Sequence, residues 1–385
     1  MGDPVSSLYV HVPFCAQKCS YCAFYSEASS GALIQRYVDA LVRELEMVAA
    51  DLRPQTIFFG GGTPSLLNLR QWEQILCVMD RFGLAAAAEW TVECNPATVS
   101  LDKARLLRSG GVNRISMGVQ SLDEMLLDRL GRVHSREMVF KSFDILRRAG
   151  FENVNLDLMF AIPGQSLATW RETLTEATAM GSEHLSSYEV IYEDDTPLFH
   201  QLQAGEILED EDLACAMYEA LIEQATAAGY QQYEVANFAR GRTCTTGPSI
   251  PARACRHNVN YWKGGSFYGL GPSATEYVRG ARTRNWSNTQ LYCEQLEQGR
   301  RAIESREELP PLARAGETAA FGLRLVDGWN FDQFQRTTGH DLRNEWAADM
   351  NQLSRQGWGH QAPDHFQLTP EGLRFADAAA ELFLR

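Results

Sequence analysis

The chain has 385 residues, 45% of them hydrophobic and 22% charged, and a formal net charge of −14 at pH 7. That length suits one large core with an appended module, and no apolar run approaches the ~20 residues that a bilayer span needs, which excludes a membrane-spanning protein. The acidic balance and the lack of a Lys/Arg stripe exclude a general nucleic-acid binder, because phosphate contacts need concentrated basic surface, and leave a small-molecule partner as the better fit.

In chain order, Met1 to Ser7 is too short and too polar for a signal peptide, so a cytoplasmic location is expected. Short β-rich runs then alternate with amphipathic stretches: "LYVHV" (8–12), "TIFFG" (56–60), "WTVEC" (90–94), "RISMGV" (114–119), "VNLDLMF" (154–160) and "HLSSYEVI" (184–191). Between the first two, Leu33, Tyr37, Leu41 and Leu45 recur at helical spacing. Six βα units imply an α/β chain, either a partial (β/α)6 TIM-like barrel or an open doubly wound sheet, and the pattern alone does not separate these. Polar or glycine-rich residues stand at or near the strand ends, where parallel α/β proteins assemble their sites: Gly60 to Ser65, Glu93, Gln120 and, within the fifth strand, Asp157.

Gly, Pro and Thr without periodicity over 239–255 read as a loop or linker. The expected organisation is a core over 1–238, a linker with the segment "RHNVNYW" over 239–310, and a mainly helical, winged-helix-like module over 311–385. Its acidic helices fit a lid or interaction role better than DNA binding. "GLGPSA" (269–274) neither follows a first strand nor opens a ribose-binding unit, and reads as a structural turn.

Nine cysteines without an export signal should be largely reduced. Cys77, Cys94, Cys215 and Cys293 are scattered singly and read as packing, while Cys244 and Cys255 stay open. The other three, Cys15, Cys19 and Cys22 in "FCAQKCSYCAF", form CxxxCxxC. Thiolates at that spacing fit zinc or an iron-sulfur centre. Structural zinc would want a fourth protein ligand and a second half-site, and none follows. Three cysteines on a four-iron cluster would leave one iron open to substrate or cofactor.

With Tyr21 just before its third cysteine, this motif resembles that of the radical S-adenosylmethionine superfamily. The resemblance implies a [4Fe-4S] cluster on Cys15, Cys19 and Cys22, whose free iron chelates S-adenosylmethionine and whose electron cleaves it to a 5'-deoxyadenosyl radical. "GGGTPS" (60–65) is similar to the family's glycine-rich segment, and "LYVHVPFC", "VECNP", "GVQS", "LGRVH" and "NLDLMFAIPG" resemble segments of its coproporphyrinogen III oxidase and HemW branch. Carried over, Tyr9, Gly61, Gly62, Thr63, Glu93, Gln120, Arg132 and Asp157 become cofactor contacts, with Tyr21 beside them. Taken alone, Glu93 and Asp157 also read as caps or ion pairs, and Arg132 as a surface residue.

Within that branch the oxygen-independent coproporphyrinogen oxidases carry CxxxCxxCxC and a longer leading segment, whereas this chain has Phe24 at the last position and 14 residues before Cys15. Both departures point to the HemW type, regarded as haem chaperones. "RHNVNYW" (256–262) matches that type's HNxxYW motif, which makes His257 a candidate haem contact, with Cys255 as an alternative thiolate ligand. A lone histidine beside an aromatic pair also reads as a packed, hydrogen-bonded residue. The expected function is haem binding and transfer to an acceptor protein in porphyrin metabolism, a homodimer being one allowed assembly. The alternatives are a coproporphyrinogen III dehydrogenase or other radical oxidoreductase, and an interaction protein with a vestigial cluster.

Overall fold

The structure is a computed structural model that describes residues 3–28, 31–241 and 250–385, so Cys244 lies outside the described residues. Strands and helices alternate at first: β1 (Val5–Val12), α1 (Gly31–Val48), β2 (Leu52–Gly61), α2 (Leu69–Arg81), β3 (Glu89–Cys94), α3 (Leu101–Ser109) and β4 (Arg114–Gln120). After β4 come α4 (Glu124–Arg129) and α5 (Arg136–Arg148), then β5 (Val154–Phe160), α6 (Leu167–Ala179), β6 (His184–Glu189), α7 (Pro197–Gln203) and α8 (Glu211–Ala227). Most loops entering these helices end in a residue whose side chain accepts a backbone N–H of the first turn: Asn68, Ser100, Asp123, Ser135, Ser166, Thr196 and Asp210.

Strands β1 to β6 pair in parallel and in chain order. A doubly wound sheet needs the order to reverse, and here it does not. With right-handed crossovers throughout, the helices gather on one face and the sheet curls around the other, which gives the partial barrel. Along each strand one set of side chains, such as Val10, Phe59, Val92, Met117 and Leu156, is buried under the helices. The alternate set faces the interior and is polar: Tyr9 and His11, Glu93, Ser116, Asn155 and Asp157, His184 and Ser186.

The sheet is nine-stranded, three more than the sequence pattern suggests. β7 (Gln231–Glu234) and β8 (Asn237–Ala239) add an antiparallel hairpin beyond β6. After α9 (Arg256–Trp262), β9 (Tyr268–Leu270) pairs in parallel with β1 on the other edge. There follow β10 (Thr275–Val278), β11 (Ala281–Asn285), α10 (Thr289–Glu297) and β12 (Ile303–Glu308), the three strands forming a small antiparallel sheet.

Within 239–310, the stretch expected to hold a linker and the segment "RHNVNYW", described residues pack on the main body. Tyr292, Cys293 and Leu296 belong to the main core. Buried Glu44 of α1 accepts hydrogen bonds from the Gly271 N–H (2.9 Å), Asn285 Nδ2 (2.9 Å) and Tyr292 hydroxyl (2.7 Å), while Arg301 bridges it to Glu276. The turn at 269–274 packs as expected: Gly271 has φ +96°, and a Cβ there would strike the His11 backbone.

The last module contains α11 (Pro311–Gly322), β13 (Trp329–Asn330), α12 (Phe331–Thr338), α13 (Leu342–Glu345), α14 (Ala347–Arg355), β14 (Gly359–Gln361), β15 (His365–Leu368), α15 (Pro370–Arg374) and α16 (Ala376–Glu381). Its strands form a three-stranded sheet in the order β13-β15-β14, and it has its own core around Trp329, Phe334, Trp346 and Phe383. It is hydrogen-bonded to the barrel: the Val235 N–H donates to the Arg324 carbonyl and the Val326 N–H to the Tyr233 carbonyl. Of the scattered cysteines, Cys94 and Cys293 are buried and Cys215 half-buried, but Cys77 is exposed, so packing does not account for it.

Candidate functional site

Cys15, Cys19 and Cys22 lie on the loop that leaves the C-terminal end of β1, and all three are free and half-exposed. Backbone bonds pin this loop at several points: Cys15 N–H to the Glu27 carbonyl (3.2 Å), Ser20 N–H to Leu130 (3.0 Å) and Leu198 N–H to Ser20 (3.0 Å). Tyr21 packs among Leu130, Met159 and Leu198, and its hydroxyl hydrogen-bonds to Cys19. Burial pushes the Cys22 thiol up, while the Phe24 N–H donated to it pulls the other way. Among the described residues no three His, Cys, Asp or Glu side chains converge closely enough to hold one metal ion.

The glycine segment locks that loop to the sheet. The Gly62 N–H donates to the Val12 carbonyl (2.8 Å) and the Thr63 N–H to the Phe14 carbonyl (2.7 Å). A Cβ on Gly62 would come within 2.7 Å of those same two carbonyls. Gly61, at φ +98°, leaves room for the His11 ring, and its N–H donates to the Glu93 carboxylate. Thr63 Oγ1 lies 3.6 Å from Cys15 Sγ. The segment's visible work is thus holding the thiol loop against β1 and β2.

Around this rim stand the remaining residues singled out from the sequence. Burial, reinforced by the nearby charge of Asp157, pushes the Glu93 carboxyl up to about 8. Burial also raises Asp157, against hydrogen bonds from Ser116 Oγ (3.0 Å) and Asn155 Nδ2 (2.7 Å). Arg132 donates to the Gly118 carbonyl (2.7 Å) and lies 3.5 Å from Cys19 Sγ, and its buried Nε has no hydrogen-bond partner among the described residues. Gln120 sits on a bulge at the end of β4 with φ 65°, a left-handed conformation that a side chain adopts at a cost. Tyr9 is deeper in the interior, its hydroxyl 3.0 Å from His11 Nδ1, and burial followed by the Glu93 charge raises it. Free thiols, an orphaned guanidinium nitrogen and two carboxylates in one concave rim suit a metal cluster and a ligand with amino, carboxylate and hydroxyl groups.

His257 is not brought to this rim. It lies at the foot of the barrel on α9, beside Thr56, Glu89 and Arg114 from the N-terminal halves of their strands. Its Nδ1 is 2.9 Å from Thr56 Oγ1, its Nε2 is 2.7 Å from the Tyr261 hydroxyl, and the ring stacks on Phe58. Burial, then the charge of Arg114, pushes it down to about 3, so it is neutral in ordinary buffers. In this structure it is the packed, hydrogen-bonded histidine. Cys255 is buried, donates to Glu89 and has its thiol pushed up to about 12 by burial, which is wrong for a thiolate ligand.

Sequence reading missed the polar interior between the two ends. His11, Asn155, His184 and Tyr233 are all hydrogen-bonded there. The signal was available in the strands themselves, where "RISMGVQ" places polar or small residues at every second position and "VNLDLMF" alternates Asn155 and Asp157 with apolar neighbours.

Comparison with known proteins agrees with this geometry. Residues 9–177 match the radical SAM superfamily model and residues 309–375 the HemN C-terminal domain model. The haem chaperone HemW of Escherichia coli (strain K12) is 34% identical over 386 residues, covering 99% of this chain and 98% of that protein. HemW of Bacillus subtilis (strain 168) is 31% identical over 386 residues, covering 99% of each. Among solved structures, the coproporphyrinogen III oxidase HemN of Escherichia coli, a radical SAM enzyme, superposes with a TM-score of 0.81, covering 99% of this chain and 90% of that one at 21% identity.

Proposed function

The chain belongs to the HemW family of the radical SAM superfamily, and from that premise we propose that it binds haem and delivers it to an acceptor protein. In this reading Cys15, Cys19 and Cys22 hold a [4Fe-4S] cluster. Glu93, Asp157, Gln120 and Arg132, with Tyr9, Tyr21, Gly61, Gly62 and Thr63, form the S-adenosylmethionine cradle. When bound, the cluster supplies an electron and an iron position for a chelating ligand. The chain's own residues set the conditions. Arg132 donates to the Cys19 sulfur; Tyr21 and the pinned loop hold the motif in place; the two buried carboxylates offer acceptors to amino and hydroxyl groups.

One observation carries the choice of chaperone over coproporphyrinogen oxidase. The position two residues after Cys22 is Phe24, 68% exposed, with no thiol to add to the three. The expected partners are haem and an acceptor protein in the cytoplasm, and no described helix is long and apolar enough to cross a membrane. Ligation of haem iron by His257 requires its bond to Thr56 or Tyr261 to give way. Titration of the pure protein with haem tests the reading: a Soret shift with stoichiometric uptake, and transfer to an apoprotein, are expected. Haem uptake that is absent, or anaerobic conversion of coproporphyrinogen III, would overturn it. A Soret shift unchanged in H257A would move the iron ligand away from α9.

A further inference from the structure

The barrel interior contains a hydrogen-bond chain whose direction can be read link by link, and it ends on Asp157. It starts at α9, where the backbone N–H of Cys255 donates to the Tyr233 hydroxyl at 3.1 Å. That hydroxyl lies 2.8 Å from His184 Nε2 and donates to it, a direction set from the far end of the chain, where the Asp157 carboxylate only accepts. The His184 proton is then on Nδ1, which is 2.6 Å from Asn155 Oδ1 and donates to it. Asn155 is thereby oriented with Nδ2 toward Ser116 Oγ (2.8 Å) and Asp157 Oδ1 (2.7 Å). Ser116 Oγ spends its own proton on Asp157 Oδ2 at 3.0 Å. With Asp157 ionised, Asn155 presents Nδ2 to it, so its Oδ1 faces the His184 Nδ1–H and Nε2 is left to accept from Tyr233; reversing a link would set acceptor against acceptor at Asp157.

His184 is fully buried, and burial followed by the charge of Arg114 holds it well below the ordinary imidazole range, so the neutral tautomer persists. Asn155 and Ser116 are buried as well, and the strand register places Ser116, Asn155 and His184 side by side on β4, β5 and β6. Both Asp157 oxygens are therefore gripped from below. Each oxygen can accept more than one bond, so acceptor capacity remains for a ligand. Asp157 also stands against Glu93, whose charge raises the cost of ionising both.

We infer that His184 and Asn155 are positioning residues for Asp157 in the S-adenosylmethionine cradle, and that Tyr233 ties this positioning to α9. The inference rests on the cofactor-binding reading above. Neither His184 nor Asn155 reaches the reacting atoms; they act through Asp157. Loss of supporting residues of this kind typically weakens binding ~10–100-fold.

The test is equilibrium binding of S-adenosylmethionine to the anaerobically reconstituted full chain, measured beside iron content and thermal midpoint. H184L, which leaves the Asn155 carbonyl without its donor and the Tyr233 hydroxyl proton without its acceptor, should raise Kd by ~10–100-fold with iron content unchanged. H184Q, whose amide can accept from Tyr233 and donate to Asn155, should recover most of that loss. Y233F keeps the ring and removes only the hydroxyl, and it should raise Kd by a smaller factor. If the wild-type chain fails to bind S-adenosylmethionine, the cofactor reading falls and this inference with it. If the wild type binds and H184L or Y233F binds as tightly, or H184Q loses as much as H184L, the positioning role is overturned while the cofactor reading stands.

Discussion

The two ends of the barrel are built from the same polar residue types, yet they differ in how far their bonding is completed. At the foot, His257 uses both ring nitrogens, and Glu89 takes the N–H groups of Arg256 and His257 together with the Cys255 thiol. At the rim, three thiols are free, Arg132 Nε is orphaned and Gln120 holds a strained φ. Buried polar groups are normally satisfied, so unfilled capacity gathered at one rim is consistent with the proposed cofactor site. Arg114 Nε and Trp262 Nε1 at the foot are also unpartnered, but the Cys255 thiol beside Arg114 already donates to Glu89. His257 spends both ring nitrogens inside the fold, whereas the three loop thiols are half-exposed and outside any disulfide.

Substitutions at the two ends should break this comparison in opposite ways. The largest effect is expected from G62A, whose Cβ would press on the Val12 and Phe14 carbonyls that anchor the thiol loop. It should cost about 2 kcal/mol or more and strip most of the cluster, read from denaturant unfolding and iron content. H257A should cost a similar amount, about 2–4 kcal/mol, because it opens a cavity and leaves Thr56 and Tyr261 unpaired. Iron content should survive it. Loss of iron in H257A would show that foot and rim are not separable.

A subtler contrast is in pH. Glu93 has its carboxyl raised from 4.5 to about 8 in the folded chain, so between those values the native state binds more protons than the unfolded one. Its contribution to stability is then fully present below the unfolded value and is lost as pH rises toward 8. E93Q should flatten the fall in the urea midpoint over that window, and an unchanged pH profile would remove Glu93 from the buried pair. His257, lowered to about 3, has the reverse sign: its burial stabilises above the unfolded imidazole value and loses that advantage as pH falls through the acidic range. The smallest effect belongs to F24C. The side chain is exposed, so stability should move by no more than ~0.5 kcal/mol. Coproporphyrinogen decarboxylation should not appear.

Much of this was legible in the residues. Period-two strands and capped helices are local patterns, and they yielded the six βα units and their polar ends. CxxxCxxC is local too, and its thiols lie on the loop after β1. What was not legible depends on partners far away in the chain. β9 is three residues long and becomes a strand only because it pairs with Leu8 to Val10 of β1. The 256–310 stretch joins the core through Glu44 of α1, more than two hundred residues earlier. "GGGTPS" shows its glycines but not that Val12 and Phe14 press against them. The completed bonding of His257 depends on Thr56, which no motif containing the histidine reveals.

The most direct trial of the account is anaerobic reconstitution with iron and sulfide, with metal and sulfide counted per chain and the visible spectrum recorded before and after S-adenosylmethionine is added. The account predicts about four irons per chain, a spectrum that shifts with the cofactor, and loss of both when Cys15, Cys19 and Cys22 are replaced by alanine. Zinc in place of iron, or a full iron complement in that triple variant, would contradict it.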